Sequence, residues 1–144
     1  MANAMRPAAV SASRATTSTA PPTSAATFGQ RLSASKAILA HAGELDDSGL
    51  REILETTVFG DLDHFLEFLH YRWTTLFGVA LEERLDLDSA SLAACVEEAW
   101  RDVARRESLL YRFLSRYSLH PTVRLEALRQ SEILAASGVA LPNF

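Results

Sequence analysis

Four side chains able to bind a metal crowd one stretch of this chain. Asp63, His64, Glu67 and His70 lie within LDHFLEFLHYRWTTLFGVALEERL, residues 62–85. On a helix, Asp63, Glu67, His70 and Thr74 recur at i, i+4, i+7 and i+11 and share one side, with His64 and Tyr71 in a row beside them. Glu67 and His70 form a Glu-x-x-His pair, the spacing by which one helix gives two ligands to a metal in di-iron carboxylate bundles. Mixed nitrogen and oxygen donors suit a divalent metal ion such as iron, zinc or manganese. Such a centre needs a second Glu-x-x-His, and no histidine follows Glu97, Glu98 or Glu107 at i+3. Completion would have to come from Glu97, Glu98 or a second subunit. A second cofactor reading is haem or another flat group beside the aromatic run Phe65 to Phe77, with His70 as ligand. The plainer reading is a solvated polar face in which Glu67 pairs with His70.

A second constellation is cationic. Arg101, Arg105, Arg112 and Arg116 recur at i, i+4, i+11 and i+15. On one continuous helix they form a rail within about 60° of arc. Guanidinium forks suit carboxylates and phosphates, so the rail fits an acidic partner surface, a nucleic-acid backbone or a phosphorylated ligand. The competing reading is a solvated face partly neutralised by Glu98 and Asp102. No recognition-helix turn or RNA-stacking platform accompanies the rail, so sequence-specific nucleic-acid reading finds no support.

Both constellations depend on helices to position them. With Leu69 at zero on a helical wheel, Leu62, Phe65, Leu66, Trp73, Leu76, Phe77 and Ala80 fall within roughly a 120° arc, the apolar stripe of an amphipathic helix. Asp61 stands at its N-cap position after Gly60. About 24 residues would span roughly 36 Å, enough for the central element of a small bundle. Ahead of it, Thr27 and Gln30 have capping-box spacing for a helix over 28–42, with His41 near its end. A second helix is predicted over 49–59, capped by Asp47 or Ser48, with Leu50, Ile53, Leu54 and Val58 inward. Gly60 supplies the left-handed residue that ends it.

After 62–85, a long helix starts near Ser89. Leu92, Val96, Ala99, Trp100, Val103, Leu110, Leu114 and Tyr117 hold one phase to about 118. Glu107 falls inside that stripe. Ser108 could cap a new segment there, but the preferred reading is a continuous or gently kinked helix with Glu107 near an edge or interface. His120-Pro121 and Gly138 bracket a last helix over 121–136. Its apolar residues Val123, Leu125, Leu128, Ile133 and Leu134 point to more than one side, as in a helix that packs between neighbours or into another chain. The tail VALPNF is apolar and could lie over the bundle or enter a partner groove.

Charge is unevenly distributed. Residues 1–43 carry four basic and no acidic side chains, residues 44–98 fourteen acidic against three basic, and residues 99–144 seven basic against four acidic. A chain with an acidic middle and basic ends can pair its own helices or a second copy. The net charge of -4 gives no global drive towards nucleic acid. Cys95 is the only cysteine, which excludes an intrachain disulfide and a cysteine-built metal cluster. It reads as a small buried hydrophobe.

Residues 1–26 are Ala, Ser, Thr and Pro with two arginines and read as a disordered tail. The tail lacks the apolar segment of a secretory signal. The expected location is cytoplasmic, with organellar import by this acid-free tail as the alternative. Residues 27–144 read as a single helical domain. The fold class is thus all-α, a bundle of about five helices behind the tail. There is no Gly-rich phosphate loop, dinucleotide fingerprint, Gly-x-Ser-x-Gly elbow, His-x-x-x-His or Cys-x-x-Cys. The functional expectation is a non-catalytic interaction protein: an accessory subunit, adaptor or regulator, acting as a homodimer or bound to a larger protein. The alternative is a metal-binding bundle using the row on the central helix. No run of the sequence is long and apolar enough for a membrane span.

Overall fold

The computed structural model describes residues 26–87 and 91–144. The expected tail lies almost wholly outside the described residues. These residues form six α-helices and no strand: α1 Phe28–Ala42, α2 Asp47–Glu55, α3 Leu62–Leu87, α4 Leu92–Arg106, α5 Ser108–Arg116 and α6 Pro121–Ala135.

The helix starts follow local chemistry. Thr27 and Gln30 make the full capping box: Gln30 N–H donates to Thr27 Oγ1 at 3.1 Å, and Thr27 N–H donates to Gln30 Oε1 at 2.9 Å. Asp46, rather than Asp47 or Ser48, caps α2 by accepting from Gly49 N–H at 2.8 Å. That helix ends at Glu55, short of the expected 59. The hydroxyls of Thr56 and Thr57 donate to the carbonyls of Ile53 and Leu54 and close its last turn. Gly60 does take a left-handed conformation, φ +78°, but beyond the turn at 56–59 rather than at the helix cap. Leu50 and Leu54 are fully buried, whereas Ile53, expected inside, is exposed.

α3 is the hub. It packs against α2, α4, α5 and α6. Phe65, Leu66, Leu69 and Trp73 have no exposed surface, and Leu62, Phe77 and Ala80 are nearly as deep. α4 runs antiparallel to it, since Arg84 meets Glu98 at 2.8 Å while Arg72 meets Glu107 at 3.0 Å. Between those pairs Trp73 and Trp100 meet edge to face, with ring centroids 4.9 Å apart, a favoured aromatic geometry.

The helix expected over 89–118, continuous or gently kinked, is two helices. Glu107, at φ -118° and ψ 57°, separates α4 from α5. The joint keeps the backbone satisfied: Glu107 N–H donates to Val103 O at 2.8 Å, and Tyr111 N–H donates to Glu107 O at 2.9 Å. Its physical reason is the carboxylate. A straight helix would carry Glu107 in its apolar stripe, at the desolvation cost of an unpaired charge. The break takes it instead to Arg72 on α3, whose side chain is only 11% exposed. The same turn lets Leu110, Phe113 and Leu114 enter the core, with Phe113 against Phe65 at 5.3 Å.

Candidate functional site

The structure does not gather the row on α3 into one site. Asp63, His64 and Glu67 are exposed, but His70 is only 2% exposed and belongs to the core. Placing His70 on a solvated face is therefore corrected, as is its pairing with Glu67. α3 is enclosed on several sides, so its buried arc is wider than the apolar stripe and takes in Phe68 and His70 as well. Burial pushes the His70 imidazole below its ordinary pKa, and Glu126 on α6 opposes that shift only partly. Its Nδ1 lies 3.4 Å from Thr74 Oγ1, while its Nε2 has no hydrogen-bond partner among the described residues.

The other three residues have separate tasks. His64 serves the start of α3. Its N–H donates to Asp61 Oδ1 at 2.8 Å, and its ring Nδ1 lies 2.8 Å from the same oxygen. Asp61 is therefore the N-cap expected, and the His64 amide holds its carboxyl below the usual carboxylate range. Asp63 turns to the start of α6. It accepts from Thr122 Oγ1 at 3.4 Å and lies 3.4 Å from His120 Nε2. His120 is the α6 N-cap, and its Nδ1 accepts from Thr122 N–H at 3.2 Å, so its Nε2 carries the proton facing Asp63. Glu67 stands on the wall of an open cleft of about 640 Å³ between α1 and α3, lined also by Phe28, Phe68 and Tyr71. Among the described residues, no group of three or more His, Cys, Asp or Glu side chains could hold a metal ion.

The arginine rail is also divided, because the joint at Glu107 puts its members on two helices. Arg101 pairs with Glu97 at 2.9 Å and Arg105 with Asp102 at 2.8 Å, both on α4. Arg112 is exposed and forms no ion pair among the described residues. Arg116 faces inward to the α1–α2 turn. It donates to Ala42 O at 3.0 Å, Leu45 O at 3.0 Å and Asp47 Oδ1 at 3.0 Å. Beside it, Tyr117 donates its hydroxyl to Asp47 Oδ1 at 2.6 Å. These bonds, Tyr117's above all, hold the Asp47 carboxyl below the usual carboxylate range. Burial, followed by the hydrogen bond to Asp47, pushes the Tyr117 phenol up to about 12. Arg116 thus fastens α5 to the α1–α2 turn. The acidic middle and basic last third of the sequence meet here within one chain.

The outside also carries large apolar side chains. α6 buries Val123, and Leu134 packs against the core, but Leu125, Leu128 and Ile133 are exposed, Ile133 by 75%. Leu119, just ahead of α6, is also exposed. α6 therefore has the two apolar sides that its sequence implies, and only one faces the bundle. The tail lies over the bundle, with Val139, Leu141 and Phe144 against the core. Sequence reasoning missed the surroundings of Phe144, which stands among His70, Trp73, Trp100 and Tyr111. The apolar VALPNF run was the one signal for it, and the run does not specify where its ring lands. No helix of the described residues is long and apolar enough to cross a membrane. No protein-family model, curated protein or solved structure matches the chain.

Proposed function

We propose that this chain is a non-catalytic helical interaction protein: an accessory subunit, adaptor or regulator. It works as a homodimer or bound to a larger protein through the outer side of α6. The observation that carries this reading is the exposure of Leu125, Leu128 and Ile133 on one helix, while Val123 on its other side is buried. Several large apolar side chains exposed on one surface helix are costly in water, and they commonly mark a contact with another protein. Arg124, Arg129 and Glu132 are exposed on the same helix, and Arg129 and Glu132 fall between the apolar positions on its outer arc, so a partner there meets charge as well as apolar surface. The charge pattern adds nothing to this argument, since its principal opposites already pair inside the chain.

Sedimentation velocity on the full chain tests the reading, alongside gentle affinity purification from its own cells. The expected result is a dimer or a stoichiometric complex, which Leu128→Glu dissolves without loss of helix content. A monomer at high concentration that co-purifies with nothing would overturn it. So would a complex that Leu128→Glu and Leu125→Glu both leave intact.

A further inference from the structure

Three buried side-chain nitrogens without a hydrogen-bond partner, among the described residues, are His70 Nε2, Trp73 Nε1 and Trp100 Nε1. All three belong to rings around one other ring. Phe144 has its centroid 5.1 Å from Trp73, 5.1 Å from Trp100 and 5.9 Å from His70, with Tyr111 completing the surround at 5.9 Å. His70, Trp73 and Trp100 are each more than nine-tenths buried. Buried polar groups are seldom left unpaired, and a cluster of them calls for an explanation. A phenyl ring fills the space between these rings but brings no oxygen acceptor to any of the nitrogens.

The segment that carries Phe144 is weakly held. α6 ends at Ala135, and Gly138 turns the chain at φ +73°. The last hydrogen bond of the segment runs from Val139 N–H to Leu134 O at 3.5 Å. Residues 140–144 make none among the described residues and rest on the apolar contacts of Leu141 and Phe144. Lifting residues 140–144 breaks no hydrogen bond among the described residues, and freeing Val139 as well breaks only its long bond to Leu134 O at 3.5 Å. A groove of about 820 Å³ already runs beside it, bounded by Trp100, Val123, Leu141 and Phe144.

We propose that residues 139–144 are a displaceable strap over a binding pocket walled by His70, Trp73, Trp100 and Tyr111. The pocket takes a flat aromatic ligand with a hydrogen-bond-accepting oxygen at its edge. The ring replaces that of Phe144 against the indole and phenol faces. The oxygen accepts from the indole N–H groups, which are donors only. Neutral His70 can donate or accept at Nε2 according to its tautomer, so it tolerates either group at the ligand's second edge. The pocket walls lie on the inner side of the bundle, and the groove beside the strap reaches the edge of the α6 surface at Leu128; the inference does not depend on a partner there.

Coumarin, a flat two-ring lactone, is a suitable probe, added to the ¹⁵N-labelled full chain and followed by NMR. Trp73 and Trp100 are the only tryptophans, so two indole N–H signals report the pocket directly. A strap that competes with the ligand lowers its apparent affinity by the fraction of open pocket. Phe144→Ala is therefore expected to bind coumarin about tenfold more tightly than the parent chain, with both indole signals moving on binding. Leu141→Ala, which loosens the strap and leaves the pocket walls alone, is expected to bind more tightly by a smaller factor. Trp100→Phe within Phe144→Ala removes a donor and keeps a ring, and it should lose several-fold in affinity. The proposal is overturned if Phe144→Ala binds coumarin no better than the parent, or if neither indole signal moves. Should Phe144→Ala fail to fold, Leu141→Ala decides: affinity equal to that of the parent chain overturns the strap.

Discussion

Replacing Arg116 by alanine separates a fastening role from a binding role for the arginines of α4 and α5. Arg116 donates to two backbone carbonyls, Ala42 O and Leu45 O, each at 3.0 Å. The first lies at the end of α1, where carbonyls lack helical partners, and it also accepts from Leu45 N–H at 3.2 Å. A hydrogen bond with a charged partner is worth about 1.5–3 kcal/mol when shielded from water. The Arg116 side chain is 31% exposed, so a value nearer 1 kcal/mol for each bond is appropriate, or about 2 kcal/mol for both. The Asp47 carboxylate is exposed and screened, and no share is assigned to it. Packing of the guanidinium over the Tyr117 ring, 5.2 Å from its centroid, adds a few tenths to about 1 kcal/mol. The expected loss is therefore about 2–3 kcal/mol, a fall in melting temperature of roughly 8–12 °C for a domain of this size. Arg112→Ala is the matched control on the same helix, and being exposed it should stay within about 0.5 kcal/mol of the parent. Arg116→Lys keeps the charge but cannot reach three acceptors with a planar fork, so it should fall between. Urea denaturation of the three variants measures the ranking. Equal stabilities for Arg116→Ala and Arg112→Ala would refute the fastening argument and return Arg116 to the set of solvated arginines.

Three further outcomes follow from the same kind of reasoning. Glu107→Ala leaves Arg72, only 11% exposed, without its partner. The loss should be about 3 kcal/mol, whereas Arg72→Met combined with Glu107→Leu should cost less than Glu107→Ala alone in urea unfolding. Burial lowers the His70 pKa below its ordinary 6.5, so the unfolded chain takes up that proton first. Stability attached to His70 is complete above pH 6.5 and falls as the pH drops below it; urea midpoints at pH 7.5 and 5.5 should show a smaller fall in His70→Phe. The Tyr117 phenol is raised from 10.0 to about 12, so its contribution is complete below pH 10 and is lost as the pH climbs towards 12. Ultraviolet titration should show one phenol ionising near the upper end, and Tyr117→Phe should remove that phase.

Much of the frame could be read from the chain because it rests on local rules. The Thr27–Gln30 box, the Asp61 cap and the left-handed Gly60 each depend on neighbours within three residues or on a single φ angle. The apolar stripe of α3 also appears in sequence, and so does the stripe of α4 whose Trp100 meets Trp73. What was hidden depends on partners far along the chain. The joint at Glu107 answers to Arg72, 35 residues earlier. Arg116 answers to Ala42, 74 residues earlier. His70 looks polar by residue type and by its distance from the centre of the stripe. It is buried because α3 is covered on several sides, and a helical wheel drawn for one helix cannot count its neighbours. The two rows of candidate residues are divided for the same reason: spacing puts side chains on a face, but tertiary packing decides which of them meet.

Cys95 is 1% exposed on α4 and is the only thiol of the chain. That makes it a clock. A thiol reagent can reach it only when α4 lifts from its packing, so each modification records one opening of the bundle. At high reagent concentration the labelling rate approaches the opening rate itself, and at low concentration it reads the equilibrium between closed and open forms. No cysteine has to be added or removed for the measurement.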